Sequence, residues 1–300
     1  MIERGRFAPS PTGELHLGNA RTALLSWLWA RAEGGEYALR VEDLDLPRVR
    51  PGLAARQLEE LRWLGLDWDG EPVYQSQRAL LYENALRSLG GQVYECFCSR
   101  AEIASAPHGD EGPRYPGTCR DLSPVERDEK RRARAPSLRL RVPPGPLSFH
   151  DQILGRQSID TARLVGDFVL RRGDGITSYQ LAVVVDDGAM GITQVLRGAD
   201  LLPSTARQIL LFRLLGLREP RWAHAPLVLS ASGERLSKRD RSTSLSDLRA
   251  RGVDPRRIVA HLARLSGLPA GDACAARDLV PGFRPALIPP APVRLEALPY

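Results

Sequence analysis

The sequence predicts an α/β fold in which a doubly wound parallel sheet is split by an inserted subdomain. The chain opens with a strand, a glycine-containing loop and a helix, and strands and helices then alternate to about residue 92. A loop-rich stretch follows at about residues 93–172, and regular periodicity returns beyond it. With 300 residues, of which 43% are hydrophobic, the chain is long enough for about two domains.

The first strand is predicted at residues 4–8 and the first helix at about residues 19–33, with the loop Pro-Ser-Pro-Thr-Gly at residues 9–13 before the helix. Gly34 and Gly35 end this helix. Its apolar residues recur at helical spacing, so we expect one face to pack inward while the N-terminus faces the loop. A strand, a glycine loop and a helix in this order are typical of nucleotide-binding sites.

A second strand is predicted at residues 37–41, and it ends in the acidic cluster Glu-Asp-Leu-Asp at residues 42–45. Helices are predicted at residues 54–64 and 79–89. Alternating elements of this kind favour a parallel sheet. They complete the first half of the predicted sheet domain, residues 1–92.

The second half of the sheet domain is predicted at residues 173–230. It contains an apolar run at residues 179–187, a strand at residues 192–197 and a helix through residues 207–215. The inserted subdomain between the two halves is predicted to span residues 93–172.

The remaining residues, 231–300, are predicted to form a short helical C-terminal region. Two helices are expected there, at residues 246–251 and 255–265, followed by a proline-rich tail at residues 281–299. We expect no further domain in this region.

Composition and charge exclude several classes of protein. No apolar run approaches the roughly 18 residues needed to span a bilayer, and the N-terminus opens with charge instead of a signal-peptide core. We therefore expect a cytoplasmic protein without a membrane anchor. The formal net charge is +6, which suits a polyanionic partner such as nucleic acid but equally serves solubility.

The positive charge of the chain is carried almost entirely by arginine. Only Lys130 and Lys238 are lysines, against 40 arginines. Lys238 lies in the stretch Arg-Leu-Ser-Lys-Arg at residues 235–239. An ammonium is a compact point charge that can follow a phosphate oxygen, which a rigid guanidinium cannot do in the same way, so Lys238 is a candidate catalytic group. The alternative is an exposed turn, because Ser-Gly precedes this stretch.

A second motif, His16-Leu-Gly-Asn19, follows the first predicted loop. Gly18 permits close backbone approach, and the helix N-terminus offers unpaired N–H groups to a phosphate. The imidazole of His16 can hydrogen-bond a triphosphate as charge shifts in a transition state. The alternative is an ordinary loop with a surface histidine.

These two motifs resemble the His-Ile-Gly-His and Lys-Met-Ser-Lys-Ser signatures of class I aminoacyl-tRNA synthetases, in the same order and with a suitable separation. The first motif ends in Asn19 where the signature has histidine, and the second ends in Arg239 where the signature has serine. Four segments, residues 6–18, 40–45, 179–187 and 196–200, are similar in sequence to the corresponding segments of the glutamyl-tRNA synthetase group. The resemblance covers most of residues 4–240. It implies a Rossmann-type catalytic sheet split by the insertion.

The resemblance also implies roles for single residues. The L-glutamate pocket would be lined by Arg6, Phe7, Ala8, Pro9, Ser10, Glu42, Tyr179 and Arg197. ATP, with magnesium, would be bound by His16, Gly18, Asn19 and Lys238, of which His16 and Lys238 would be catalytic. Arg6 or Arg197 can take the side-chain carboxylate in a two-pronged salt bridge, and Glu42 can take the α-ammonium. The alternatives are a solvated arginine at a strand end and a glutamate that caps the next loop.

The length of the chain selects among relatives of this group. Only about sixty residues follow the second motif, and we expect no anticodon-binding domain among them. The chain therefore resembles a truncated branch whose members activate glutamate without tRNA and transfer it to the queuosine base at the wobble position of tRNA(Asp). The alternatives are a truncated enzyme that charges tRNA(Glu) and a non-catalytic, synthetase-like RNA-binding module.

Three of the four cysteines lie within a short window of the insertion. Cys96, Cys98 and Cys119 supply three thiolates, and a structural zinc site requires four ligands. General ligand preferences point to His108 as the fourth, whereas the family resemblance points to Tyr115. We choose Tyr115 and expect one structural zinc; the alternative is three reduced, buried cysteines.

Cys274, the fourth cysteine, is expected to be a structural thiol. Near the zinc-binding window, the basic stretch at residues 130–134 either contacts RNA phosphates or forms a solvated, salt-bridged helix, because acidic residues lie directly before it.

Overall fold

The computed structural model describes residues 2–104, 108–109, 112–229 and 244–294. Its helices are α1 Leu17–Ala32, α2 Leu53–Trp63, α3 Ala79–Ser88, α4 Arg100–Ala104, α5 Pro124–Ala133, α6 Tyr179–Ala189, α7 Leu202–Leu214, α8 Leu245–Ala250 and α9 Pro255–Leu265. Its strands are β1 Arg4–Phe7, β2 Glu36–Val41, β3 Val73–Tyr74, β4 Val93–Cys96, β5 His108–Gly109, β6 Gly112–Pro113, β7 Ser137–Leu140, β8 Pro146–Asp151, β9 Gly155–Asp160, β10 Val169–Arg171, β11 Gln194–Gly198, β12 Arg221–Ala225, β13 Val228–Leu229 and β14 Val293–Arg294. No helix in these ranges is long and apolar enough to cross a membrane.

Two groups of parallel strands form the centre of the molecule. Strands β1, β2 and β3 pair in parallel, and β11, β12 and β8 form a second parallel set to which β9 adds an antiparallel edge. The two groups meet where the N–H of Thr193 donates to the carbonyl oxygen of Arg4 at 2.9 Å. The prediction of an α/β fold with parallel sheets is therefore confirmed.

The stretch predicted as an insertion contributes to three different sheets, one of which is the antiparallel pair of β5 and β6. Strands β4, β7 and β10 form an antiparallel sheet of their own, in the order β10-β7-β4. The β8–β9 hairpin instead joins the second parallel group, because β8 pairs with β12 at Asp151 and Trp222. The boundaries of the subdomain, at residues 93 and 172, stay predictions.

Helix α1 is more deeply buried than its sequence pattern suggests. We expected one inward face, but most of its residues are buried, including Arg21, Ser26 and Trp29. The reason is that α1 packs against both β1 and β11 and is also covered by α9. It begins at Leu17, two residues before the predicted start, since the side chain of His16 caps it.

Later elements follow the predicted order with small shifts. The apolar run at residues 179–187 forms helix α6, whose residues Leu181–Val185 are buried. The strand expected at residues 192–197 is β11, which begins two residues later. Helices α8 and α9 confirm the two helices expected after residue 244, and the tail contributes β14, which pairs in parallel with β13.

Candidate active site

A cleft of about 1080 Å³ opens at the carboxyl ends of β1, β2, β11 and β12, beside the N-termini of α1 and α6. This edge of a parallel α/β sheet is the usual place for ligands. The cleft is lined by all but one of the residues that the sequence assigned to glutamate and ATP: Arg6, Phe7, Ala8, Pro9, Ser10, His16, Gly18, Asn19, Glu42, Tyr179 and Arg197. Lys238 lies outside the described residues.

The imidazole of His16 is bound to the N-terminus of α1. Its Nδ1 accepts hydrogen bonds from the backbone N–H groups of Gly18 at 3.0 Å and Asn19 at 3.3 Å, while Asn19 Oδ1 accepts from the N–H of His16 at 3.2 Å. A Cβ atom on Gly18 would lie 2.9 Å from Cε1 of the ring. A larger residue at this position would therefore displace the histidine ring from the helix N-terminus.

The loop at residues 9–13 is held by the side chain of Gln57 on α2. Nε2 of Gln57 donates to the carbonyl oxygens of Ser10 at 3.2 Å and Gly13 at 2.8 Å. The N–H of Glu42 also donates to the carbonyl oxygen of Pro9 at 2.9 Å. These bonds connect the ends of β1 and β2 and place the loop along one wall of the cleft.

A buried group of charges joins two of the predicted glutamate-binding residues. Nη1 of Arg40 lies 2.5 Å from Oδ1 of Asp187, and its Nη2 lies 3.2 Å from Oε1 of Glu42. The same Asp187 oxygen lies 3.4 Å from Nε of Arg6. Arg40 and Asp187 are fully buried, so they act on the cleft through Glu42 and Arg6.

The pKa values of this group follow from burial and from the two guanidinium groups. Burial raises the pKa of Glu42, although the nearby Arg40 opposes that effect. Burial alone would also raise the pKa of Asp187, but Arg40 and Arg6 outweigh it and hold the pKa of this carboxyl below its usual range. Asp187 is therefore a permanent negative charge beneath Arg6.

The guanidinium of Arg197 has a different environment, because its hydrogen-bond partners among the described residues are neutral. Nη1 donates to Oε1 of Gln208 at 2.7 Å, and Nη2 donates to Oγ1 of Thr205 at 2.7 Å and to the carbonyl oxygen of Leu201 at 3.3 Å. Nε donates to Nε2 of His224 at 3.1 Å. Burial lowers the pKa of Arg197, but the group remains charged near pH 7.

Sequence reasoning assigned no role to Arg40, Asp187 and His224, although the structure places all three directly behind cleft residues. Arg40 and Asp187 stand in stretches that carried the family resemblance. The sequence signal that could have identified them is a charged residue at the end of an otherwise apolar run. Charged residues are almost never fully buried unless they are paired, so a charge in such a run predicts a buried partner. His224 stands inside the buried strand β12 and offered the same kind of signal.

Described residues on either side of the stretch that contains Lys238 lie close to residues of the cleft. Val228, near its start, lines the cleft. Ser244, which follows it, forms an antiparallel bridge with His16, and the N–H of Leu245 donates to the carbonyl oxygen of Leu15 at 2.8 Å.

A candidate metal centre lies in the stretch predicted as an insertion. The Sγ atoms of Cys96, Cys98 and Cys119 are all within 4.8 Å of one another. The hydroxyl of Tyr115 lies 3.7 Å from Sγ of Cys98 and accepts a hydrogen bond from the N–H of Cys119 at 2.7 Å. The three thiols are close enough to hold a metal ion, and the phenol of Tyr115 lies beside them. The side chain of His108 lies outside the described residues.

The electrostatic surroundings of Tyr115 combine two opposing effects. Burial, together with hydrogen bonds to the cysteines, raises the pKa of Tyr115. The hydrogen bond from the backbone N–H of Cys119 opposes this rise. The guanidinium of Arg139 lies 3.9 Å from the centre of the ring. A bound metal cation would add a second, stronger positive charge and so favour the phenolate.

Several arginines of the basic stretch at residues 130–134 and its surroundings form ion pairs. Arg131 lies 2.7 Å from both Glu95 and Asp128, and Arg134 lies 3.5 Å from Glu102. These contacts support the interpretation of α5 as a solvated, salt-bridged helix.

The family of the chain is identified by its match to a model described as tRNA synthetases class I (E and Q), catalytic domain, which covers residues 4–277. The chain belongs to this family. As a class I tRNA synthetase it is a ligase, and its parallel sheets and surrounding helices are the fold of that class.

Relatives of this class I synthetase match along nearly the whole chain. A protein from Symbiobacterium thermophilum named glutamyl-Q tRNA(Asp) synthetase is 51% identical over 98% of this chain and 96% of its own length. A protein of the same name from Nocardia farcinica is 53% identical over 96% of this chain and 91% of its own length. The crystal structure of a glutamate-tRNA synthetase from Elizabethkingia anophelis matches with a TM-score of 0.87 and 29% identity, over 99% of this chain and 68% of that one.

Proposed function

We propose that this synthetase activates L-glutamate with ATP, without needing tRNA, and transfers the glutamyl group to the queuosine base at the wobble position of tRNA(Asp). The observation that carries the proposal is the cleft, in which Arg6, Arg197 and Glu42 lie together with the helix N-terminus that His16 caps. The names of the full-length relatives support the choice of acceptor.

The charges of the cleft suit an amino acid that carries a second carboxylate. Nη1 and Nη2 of Arg6 have no hydrogen-bond partner among the described residues, since Asp187 holds only its Nε. Arg6 can therefore grip a carboxylate with two parallel N–H groups. Arg197 has committed four of its five N–H groups to neutral partners, so it contributes its charge and one N–H group. Glu42 is the anion that takes the α-ammonium.

ATP binds, in this proposal, at the N-terminus of α1. Because Nδ1 of His16 accepts two backbone hydrogen bonds, the proton of the neutral ring is on Nε2, which can donate to a phosphate oxygen. Gly18 and Asn19 lie beside the phosphates, where the helix dipole favours negative charge. Lys238 and magnesium supply further positive charge to the phosphates.

The reaction has two steps. An oxygen of the glutamate α-carboxylate attacks the α-phosphorus of ATP, the bond to the bridging oxygen breaks, and glutamyl-adenylate and pyrophosphate form. A hydroxyl group of queuosine then attacks the activated carbonyl carbon, and AMP leaves as the ester forms. Positioning and electrostatic stabilisation supply most of the rate enhancement in such phosphate chemistry.

One zinc ion is part of the proposal. Cys96, Cys98, Cys119 and Tyr115 would hold it, because their ligand atoms converge at the end of β4. Its role is structural: it connects β4 to the loop that carries Tyr115 and Cys119.

Incubation with labelled glutamate and ATP tests the acceptor. The protein is offered tRNA(Asp) with queuosine, tRNA(Asp) without queuosine, and tRNA(Glu). Transfer only to the queuosine-containing tRNA is the expected result. Labelling of tRNA(Glu) at its acceptor end would favour a truncated glutamyl-tRNA synthetase instead, and an absence of glutamate-dependent ATP–pyrophosphate exchange would favour a non-catalytic RNA-binding module.

A further inference from the structure

A buried hydrogen-bonded chain runs from strand β8 to the guanidinium of Arg197 at the cleft. Asp151, the last residue of β8, places Oδ2 at 2.5 Å from Nδ1 of His224 on β12. On the other side of the ring, Nε2 of His224 lies 3.1 Å from Nε of Arg197. Asp151 and His224 have no exposed surface, and neither lines the cleft. They reach a bound amino acid only through Arg197.

The hydrogen bonds of this chain favour one protonation state of His224. Nε2 of the ring lies 2.9 Å from Oγ1 of Thr205, which can donate or accept, and 3.1 Å from Nε of Arg197, which carries a hydrogen and no free lone pair. Nε2 therefore accepts from Arg197 and carries no proton. Nδ1 then bears the proton and donates it to Asp151. Burial lowers the pKa of His224 to about 4, although the hydrogen bond to Asp151 opposes this effect. The ring is therefore neutral near pH 7.

The carboxylate of Asp151 is itself fixed by the backbone. Its Oδ1 accepts hydrogen bonds from the N–H groups of Ile153 at 3.0 Å, Leu154 at 2.9 Å and His224 at 3.2 Å. Only Oδ2 remains to face the imidazole. The orientation of the carboxylate, and with it the tautomer of His224, is thus determined by the turn between β8 and β9.

We propose that Asp151 and His224 are positioning residues for Arg197. The carboxylate holds the imidazole in its Nδ1–H tautomer, and the imidazole then accepts from Arg197 without cancelling its charge. The guanidinium keeps one orientation and a full positive charge for the carboxylates of the amino acid. This inference rests on the proposed function, because it assigns these hydrogen-bonded residues a role in glutamate binding.

An isosteric substitution separates this role from simple packing. In Asp151→Asn the three backbone N–H groups retain the amide oxygen, so the amide NH₂ faces Nδ1 of His224. The imidazole then accepts at Nδ1 and carries its proton on Nε2, which can donate to Oγ1 of Thr205 but no longer accepts from Nε of Arg197. The shape of the core is unchanged, but Arg197 is displaced.

Glutamate-dependent ATP–pyrophosphate exchange by the full chain measures the effect. We expect Asp151→Asn and His224→Ala to raise the KM for glutamate roughly 10- to 100-fold while the KM for ATP stays within about twofold. His224→Gln should recover part of the glutamate affinity, because its amide oxygen can accept from Arg197. His261→Ala is the matched control: this buried histidine of α9 does not line the cleft.

Nitrogen NMR of ¹⁵N-histidine-labelled protein reads the tautomer directly. We expect the wild-type protein to show His224 as the neutral Nδ1–H form near pH 7. A charged ring or the Nε2–H form would overturn the proposal even if the variants did not fold. So would an unchanged glutamate KM in Asp151→Asn, or an equal rise in the KM for glutamate and ATP.

The two proposals fail in distinguishable ways. Wild-type protein without glutamate-dependent exchange would contradict the proposed function, and the NMR measurement would still decide whether Asp151 controls the tautomer of His224. Wild-type protein with normal exchange, combined with unaltered glutamate affinity in Asp151→Asn, would contradict only the positioning role.

Discussion

Titratable side chains around the cleft are held by hydrogen bonds and ion pairs to neighbouring groups of the protein. Nδ1 of His16 is held by the helix N-terminus, and Nη1 of Arg40 by Asp187. Because each contact fixes a protonation state as well as a position, single substitutions should alter chemistry or pH dependence before they alter shape.

Lys238→Ala is expected to lower glutamate-dependent ATP–pyrophosphate exchange by roughly 100- to 1000-fold, since it removes a positive charge from the reacting phosphates. Lys130→Ala is the control, because Lys130 is the other lysine of the chain and is exposed on α5. Both variants should unfold at the wild-type denaturant concentration. Normal exchange in Lys238→Ala would refute the catalytic assignment.

We expect His224 to make the stability of the fold depend on pH. Its native pKa of about 4 lies below the unfolded value of 6.5, so the unfolded chain binds a proton first as the pH falls. The free energy of unfolding should therefore decrease from pH 6.5 towards pH 4, with on the order of 3 kcal/mol attributable to this ring.

Urea unfolding at a series of pH values measures this dependence. In His224→Gln the contribution of the ring is absent. The free energy of unfolding should therefore change less between pH 6.5 and pH 4 than it does in the wild-type protein. Parallel curves for the two proteins would show that His224 titrates normally in the folded state.

At the scale of secondary structure, the N-terminus of α1 and the end of β4 are the two elements most directly tied to chemistry. The first combines a helix dipole, a capping histidine and a glycine. The second brings three thiols and a phenol together from loops with few apolar residues. Each element can be tested by a substitution that alters its geometry and little else.

Gly18→Ala is expected to displace the ring of His16, because the added Cβ would lie 2.9 Å from Cε1. Exchange activity should fall at least about tenfold, whereas the stability of α1 should not decrease, since alanine favours a helix. Gly91→Ala is the control, as its Cβ would meet nothing within 4 Å. Unchanged kinetics in Gly18→Ala would show that the position of the imidazole is unimportant.

Cys119→Ser is expected to lose the proposed zinc ion and to destabilise the sheet of β4, β7 and β10. Metal analysis by mass spectrometry should find about one zinc per chain in the wild-type protein and in the control Cys274→Ser. Tyr115→Phe should bind zinc more weakly in competition with a chelator. If it binds as well as the wild type, the fourth ligand is another group, with His108 the next candidate.

At the scale of the whole molecule, the two halves of the catalytic sheet are joined by buried charges. Asp186 of α6 accepts hydrogen bonds from Gln75, Arg78 and Tyr82, all of which precede the predicted insertion. Asp187 pairs with Arg40 of β2 in the same way. The cleft lies at this junction, so the ion pairs that connect the halves also shape the site.

Arg40→Met should lower the free energy of unfolding by about 3–5 kcal/mol, because it leaves Asp187 buried without its nearest cation. Urea unfolding measures this change. The control is Arg87→Met, which breaks an exposed pair with Glu83 on α3 and should change the free energy by less than about 1 kcal/mol. Equal stability of the two variants would show that the buried pair does not hold the halves together.

Much of this organisation could be predicted from the sequence because it depends on local patterns. The strand, loop and helix at the start of the chain, the placement of His16 and Gly18 at a helix N-terminus, and the grouping of three cysteines all follow from residues close in sequence. The degree of burial of α1 could not be predicted, since it depends on α9, which is contributed from more than two hundred residues away.

The sequence by itself determined the class of the protein and the residues that line its cleft, because motif residues must stand at set spacings from a strand end or a helix start. Only the tertiary structure decided which charges support them. A single hydrogen-bonded series joins Asp151, His224 and Arg197 because β8, β12 and β11 are neighbours in one sheet. The physical reason is that a hydrogen bond depends on distance in space, and strand order, which no local pattern specifies, sets that distance.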